Sequence, residues 1–477
     1  MSFVIPLSRT SSTPLTRQIY SWFRQAILQG TMRCGERLPS TRELAEHLHI
    51  SRTVAVLAYE QLLAEGFIAG RGGSGTYVSE GLATGPRSVP ATLAKVKLSS
   101  FGHSVEAATS RVNYPNARAS LHFDFAYGQS NVEIFPFEMW RRMLLRHARM
   151  APVRELDYGP AAGSRALREA IAVHLRRSRA VACDASQVIV VSGSQQALDL
   201  IARVLIEPGD RVAIENPIYQ GTSEILRTAG ARLLPVPVDR EGLRPASLPK
   251  HARMAFVTPS HQFPTGAVLP LARRLELLDW ARRKDAVVVE DDYDGEFRYQ
   301  EQPLESLQGL DTEGRVIYIG TFSRTIFSAL RIGYLIVPRS LVAAFTSAKW
   351  LCDRHTATLE QETLAEFIAS GLYERHLRRV RRRNAANRDV LMESIHRHLG
   401  NRVEVTGDGA GAHIVLWPRK QISESSVIEK AAARGVGVYA ISGYFLTRPS
   451  RSGLMLGYSR MTKEQIREGI RRLSGIL

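Results

Sequence analysis

The chain is 477 residues long, 44% apolar and 23% charged, with a formal net charge of +17, enough for one large α/β domain and a small extra one whose cores need no staples. Its three cysteines, Cys34, Cys183 and Cys352, are isolated and make neither a disulfide framework nor a metal spacing, so no metal is expected. No stretch reaches the roughly 18 uninterrupted apolar residues of a membrane span and MSFVIPLSRTSSTP lacks the pattern of an export signal, so the expected compartment is the cytoplasm, with no membrane partner.

A charge of +17 points toward nucleic acid, but it is unevenly placed. Residues 1–80 carry eight arginines (9, 17, 24, 33, 37, 42, 52, 71) against six glutamates (36, 43, 46, 60, 65, 80), a net of +2. Residues 13–80 alternate helical periods with a terminal glycine hairpin. In LPSTRELAEHLHISRTVAVLAYEQLLAEGFIAGRGGSGTYV, Ser40 is placed to cap one helix and Ser51 the next, and the short HISR connection makes a helix-turn-helix. Val54, Leu57, Ala58 and Leu62 form the expected inward stripe of the second helix. That leaves Arg52 and Thr53 at its exposed N-terminal end, where a recognition helix meets base edges. IAGRGGSGTYV then reads as a two-stranded wing with a Gly-rich tip beside Arg71.

This order, with the lead helix PLTRQIYSWFRQAILQGTM and the GERLPSTRELA signature, resembles the GntR superfamily of bacterial regulators over the whole first domain. The resemblance implies a double-stranded DNA operator as partner, contacted by Arg42, Ser51, Arg52 and Thr53, with Arg71, Gly73 and Ser74 at the wing. Residues 81–118 are rich in Ala, Ser, Thr and Pro with weak periodicity. They read as a linker long enough to let the first domain reach a partner subunit.

From about residue 119 apolar strand-like runs alternate with helical segments. QVIVVSG, DRVAIEN, MAFVTPS, AVVVEDD, RVIYIGTF and IGYLIV are the buried-strand candidates, with helices such as QQALDLIARVLI and LARRLELLDWARRK between them. The pattern calls for a mostly parallel sheet covered by helices, with ligands at the carboxyl ends of the strands. A large lobe of about 165–345 and a smaller α+β lobe of about 119–164 plus 346–477 are expected. In ERHLRRVRRRNAANR, Tyr373, Leu377, Val380 and Leu391 recur at helical spacing and leave Arg378, Arg379, Arg381, Arg382 and Arg383 largely on other faces, which reads as the solvated face of an amphipathic helix or, in second place, as an auxiliary phosphate-contacting surface.

Several strand ends carry residues suited to a flat, phosphorylated ligand. Ser194 and Gln195 open a helix after QVIVV, where backbone amides meet an anion. Tyr219 in ENPIY is placed to stack on a heterocycle. Asp291 and Tyr293 in VVVEDDYDGEF are placed to hold a protonated pyridine nitrogen and a ring hydroxyl. GTFSRTIFSALRIGY brings Thr321, Ser323 and Arg331 toward a phosphate. Together these resemble the fold-type I aminotransferases, which use pyridoxal phosphate, over essentially all of residues 119–477. Fused to the GntR-like head, the whole resembles the MocR-type regulators. The resemblance implies a head-to-tail homodimer, a small-molecule effector (pyridoxal phosphate, an amine or an amino acid), and Tyr158 of YGPAAG reaching the neighbouring subunit's phosphate.

The pattern breaks where the family keeps the lysine that joins the cofactor's aldehyde: the residue after TFS is Arg324, which stays protonated above about pH 12 and is no amine nucleophile. The nearest remaining lysine, Lys349, lies in a following helical segment with no motif to carry it into the pocket. In GLMLGYS, Met455 occupies the slot where enzymes of this fold keep an arginine for the substrate carboxylate. Both departures imply a ligand-sensing regulator without turnover, and no residue is assigned as catalytic. The alternative, an active aminotransferase with a DNA-binding appendage, needs a substitute amine. Two readings of the pocket stay open: non-covalent pyridoxal phosphate with Arg324 beside it, or another anionic ligand suited to a fixed cation.

Overall fold

A computed structural model describes residues 4–82, 96–112, 121–128, 130–150, 157–299 and 304–477. Contacts divide the chain into two units, Met1–Lys97 and Leu98–Leu477.

In the first unit the helices Leu15–Leu28, Thr41–Leu48 and Arg52–Ala64 pack on one another and on the antiparallel pair Ile68–Arg71 and Gly75–Val78. Ser40 caps its helix in a full capping box with Glu43. Ser51 stands at the N-cap position of the next helix without a side-chain cap bond, because the Val54 amide takes the Ser51 carbonyl instead. The inward stripe of that helix is Ala55, Ala58, Tyr59 and Leu62. It is turned by one residue from the expected one, and Leu57 is exposed. Tyr59 explains the turn: its ring packs edge-on against Phe23 while its hydroxyl donates to the Pro39 carbonyl, so the helix rotates to bury it.

The second unit is built on an eight-stranded sheet. In spatial order its strands are Val188–Val191, Gly333–Ile336, Val316–Thr321, Val287–Asp291, Met254–Val257, Arg211–Asn216, Arg232–Asp239 and Gly242–Leu243. Gly333–Ile336 runs antiparallel to both neighbours and Gly242–Leu243 closes a hairpin, while the strands between are parallel. All six strand candidates are in this sheet. Arg232–Asp239 was not among them: Pro235 and Pro237 argue against a strand, yet it lies one short strand from the sheet edge, where missing N–H groups are tolerated.

A second core gathers Phe123 and Phe125 with Leu391, Ile414, Leu454, Leu456 and Ile466 around the antiparallel sheet Val403–Thr406, His413–Pro418, Leu454–Gly457 and Tyr439–Ala440. The helices Phe137–Met150 and Thr358–Ala369, expected in the small lobe, instead pack with Arg165–Arg179 into a core on the large sheet. The 27-residue helix Leu372–His398 joins the cores, burying Tyr373 and Leu377 in one and Leu391 in the other. Its Arg378, Arg379 and Arg382 are exposed, whereas Arg381 pairs with Glu296 at 2.7 Å.

The segment read as a linker is partly ordered structure of this unit. Ser100–Thr109 is a helix capped by Ser99, packed beside Gln220–Thr228, and Arg111 pairs with the buried Glu224 at 2.8 Å. Its apolar residues are sparse and half-exposed, Phe101 and Val105 among them, so the sequence carried little periodicity. Residues 83–95 and 113–118 of that segment lie outside the described ones.

Candidate functional site

The pocket grows from the carboxyl ends of the parallel strands. Val188–Val191 runs through Ser192 and Gly193 into the helix Ser194–Leu205. Gly193 has φ 85° and ψ 171°, a conformation reserved for glycine, and an added Cβ would stand 2.8 Å from Arg331 Nη2. Arg331 donates to the Ser192 carbonyl at 2.8 Å, which sets its guanidinium on the helix start. No side chain caps that helix, and the first amides, Ser194 and Gln195, have no acceptor within it. Thr321 ends its strand and its hydroxyl accepts from the Ser323 amide at 3.2 Å, which keeps both hydroxyls in the turn leading to Arg331. Amides, hydroxyls and one guanidinium of this kind, a candidate cradle, are the groups that suit an anion.

Beside the cradle lies a ring of aromatic groups with an acid at its base. Asp291 ends Val287–Asp291, and its Oδ1 is buried without a hydrogen-bond partner. Burial, then repulsion from Asp292, pushes its carboxyl up to about 7 against the pull of Arg324. Tyr293 donates its hydroxyl to the His261 carbonyl at 2.9 Å, and its oxygen lies 3.0 Å from His261 Nδ1, which leaves one lone pair to face a ligand. Tyr219 precedes the helix Gln220–Thr228. Its ring and the Gln195 side chain both close on Gly221, where an added Cβ would collide with each.

Arg324 sits among these rings. Its guanidinium lies 4.2 Å from the centre of the Tyr127 ring, and a Cβ at Gly128 would come within 3.2 Å of its Nη1. Burial opposes its charge, but Tyr127, Asp294, Tyr293 and Tyr219 outweigh that and raise its pKa. Lys349 is no substitute: it is fully buried in Val342–Asp353 and bound to Asp353 at 2.5 Å. Behind Tyr293, His261, Asp294 and His413 form a buried cluster with ligand atoms within 4.8 Å of one another. Burial lowers His261 to about 4 and His413 well below its ordinary range; Arg298 acts the same way on the first, and His261 and then Arg324 on the second.

Two expected residues stand apart. Tyr158 is 72% exposed and packs on Arg354 and His355, outside the pocket of its own chain. Met455 is buried mid-strand opposite Val415, on the face turned away from Leu454, Leu456 and the small-lobe core.

In the first unit, Arg42 and Arg52 line one concavity of about 450 Å³ with Glu46, His49 and Ile50. Arg42 pairs with Glu46 at 3.2 Å across an exposed turn, and Thr53 follows Arg52 on the exposed helix start. At the wing tip Gly73 takes φ 75° and the Ser74 amide donates to the Arg71 carbonyl at 2.9 Å, which closes the turn. Arg71 pairs with Glu80 and lies over Tyr77 at 4.9 Å. Arg37, not singled out from sequence, bridges to Tyr77 and reaches the wing at Gly75.

Residues 125–473 match the family described as aminotransferase class I and II, and residues 15–78 match bacterial regulatory proteins of the gntR family. The probable rhizopine catabolism regulatory protein MocR of Rhizobium meliloti is 38% identical over 475 residues, covering 98% of this chain and 95% of that one. This chain belongs to the MocR-type regulators of the GntR family. The HTH-type transcriptional regulator TauR of Rhodobacter capsulatus is 33% identical to this MocR-type chain, with coverage of 100% and 98%. Among solved structures, LysN, the α-aminoadipate aminotransferase of Thermus thermophilus complexed with N-(5′-phosphopyridoxyl)-L-leucine, has a TM-score of 0.70 and 29% identity, covering 78% of this chain and 96% of that one. The second unit therefore has the fold of pyridoxal-phosphate aminotransferases, and a GntR head implies DNA binding.

A phosphorylated pyridine fits the pocket of this MocR-type regulator. The orphaned Asp291 Oδ1 would take a ring N–H, and the helix start with Arg331 beside it would take a phosphate. Sequence reasoning missed Tyr127, Gly128, His261, Asp294 and His413. Asp294 follows Tyr293 in the same strand-end motif, and His261 stands in SHQFPTG, so both were within reach; Tyr127 has no motif and reaches Arg324 by the fold alone.

Proposed function

We propose that this MocR-type chain is a DNA-binding transcriptional regulator whose aminotransferase-like domain senses pyridoxal phosphate or a related ligand, held without a covalent bond and without turnover. The observation that carries this reading is Arg324: a guanidinium stands in the pocket at the place of the family's amine, and Lys349 is fixed elsewhere by Asp353. Asp291 would take the pyridine nitrogen, and the amides of Ser194 and Gln195, with Thr321, Ser323 and Arg331, the phosphate. Tyr219 and Tyr293 would orient the ring. When bound, the cofactor supplies an aldehyde that amines can add to. The chain's own part is to bind and orient it, and Arg324 has no proton to give or take near neutral pH. Exposure of Tyr158 agrees with a head-to-tail homodimer in which it completes the neighbour's cradle.

The test is borohydride reduction of the purified protein with pyridoxal phosphate, followed by peptide mass mapping, on the natural chain and on Arg324→Lys. The expected result is a phosphopyridoxyl adduct mapped to the pocket in the lysine variant alone, with ligand-dependent thermal stabilisation of both. A pocket adduct on the natural chain, or sustained amino transfer, would overturn the proposal.

A further inference from the structure

We infer that Arg324 is a specificity residue: it makes the pocket take phosphorylated pyridines whose 4′ substituent is a hydrogen-bond acceptor, such as an aldehyde, and reject those carrying an ammonium there. This rests on the reading above, that the pocket binds a phosphorylated pyridine.

Three observations lead to it. Among the described residues Arg324 donates no hydrogen bond and makes no ion pair, so the five donors of its half-buried guanidinium are open to a ligand. Its guanidinium lies over the face of Tyr127 and close to the backbone at Gly128, a cation–π contact that draws it toward these rings. Its location relative to the two anchors is fixed by the chain: it follows Ser323 of the cradle directly, while its charge acts on the Asp291 carboxyl. A ring held at its nitrogen by Asp291, at its 3-hydroxyl by Tyr293 and at its 5′ phosphate by the cradle would offer Arg324, which acts on Tyr293 as well, the 4′ substituent between the hydroxyl and the phosphate arm.

That substituent meets a permanent cation. An aldehyde, its hydrate or a hydroxymethyl group accepts from the guanidinium and satisfies donors that nothing else in the described pocket satisfies. A 4′-aminomethyl group is an ammonium at neutral pH, brings a like charge against Arg324, and leaves the donors unmatched. In a lysine-bearing pocket the amine can shed its proton, so that penalty is avoidable; in this one it is not.

Isothermal titration of the full-length protein with pyridoxal phosphate, pyridoxine phosphate and pyridoxamine phosphate tests this. The expected dissociation constants for the first two are at least about tenfold below that for pyridoxamine phosphate, the scale of a like-charge contact. In Arg324→Gln, which keeps donors but removes the charge, the ratio is expected to fall to within about threefold. The natural chain's ratio needs no variant, so a misfolded substitution leaves the test intact. Equal or tighter binding of pyridoxamine phosphate by the natural chain, or a ratio unchanged in folded Arg324→Gln, overturns the inference while the pocket reading stands. No binding of any of the three overturns both.

Discussion

Replacing Asp291 with asparagine should make the ligand-free protein more stable, and increasingly so as the pH rises. Burial and Asp292 lift this carboxyl from an ordinary 3.8 to about 7. The folded state thus keeps a proton that the unfolded chain releases between those values. Stability held below pH 4 is lost as the pH climbs to about 7, at about 1.4 kcal/mol per pH unit, up to about 4 kcal/mol in all. Asparagine has no such loss, so its advantage over the parent should widen by about 2–3 kcal/mol between pH 5 and pH 8. Glu290 and Asp294 are also pushed to about 7 by burial, but they are common to both proteins and largely cancel in the comparison; Glu215, raised mainly by burial and in small part by Asp291, moves the gap in the same direction. Calorimetry of both chains, stripped of pyridine phosphates, at the two pH values gives the result directly. The same variant should bind pyridoxal phosphate about 10–100-fold more weakly, since a charge-assisted hydrogen bond is lost. An equal gap in melting temperature at pH 5 and pH 8 would refute the claim that this carboxylate is held desolvated for a ligand.

Two further outcomes follow from the geometry. Gly193→Ala should destabilise the fold by about 1–3 kcal/mol through its backbone conformation. It should also push Arg331 off the helix start and weaken pyridoxal phosphate binding at least about tenfold; thermal unfolding and fluorescence titration check it, and an unchanged affinity would remove Arg331 from the cradle. Arg52→Ala should weaken operator binding by about 1–3 kcal/mol and relax sequence preference at one position, read from gel-shift titrations over a mutated operator series; an unaltered preference would demote Arg52 to a phosphate contact.

Much of the pocket was legible because its residues sit at strand ends, where short β-branched runs announce the strand and the next residues must face the ligand. Asp291, Tyr293, Thr321 and Ser323 were singled out that way, and Arg324 stood out only because the residues around it set an expectation of lysine. What escaped depended on packing. Tyr127 meets Arg324 across a long sequence separation, and no local period encodes that approach. Arg232–Asp239 was hidden by two prolines whose cost depends on nearness to the sheet edge, a property of topology rather than of the segment. In the recognition helix, apolar spacing alone did not decide which face turns inward, because the hydroxyl of Tyr59 needed the Pro39 carbonyl as well as burial.

The wing arginine already has an anion of its own. Glu80 occupies the guanidinium of Arg71 much as a phosphate oxygen would, and Glu46 does the same for Arg42. If a duplex used these two arginines as proposed, it would have to displace resident carboxylates, which would damp indiscriminate attraction to any polyanion. Only a site whose backbone matches both positions together recovers what the exchange gives up.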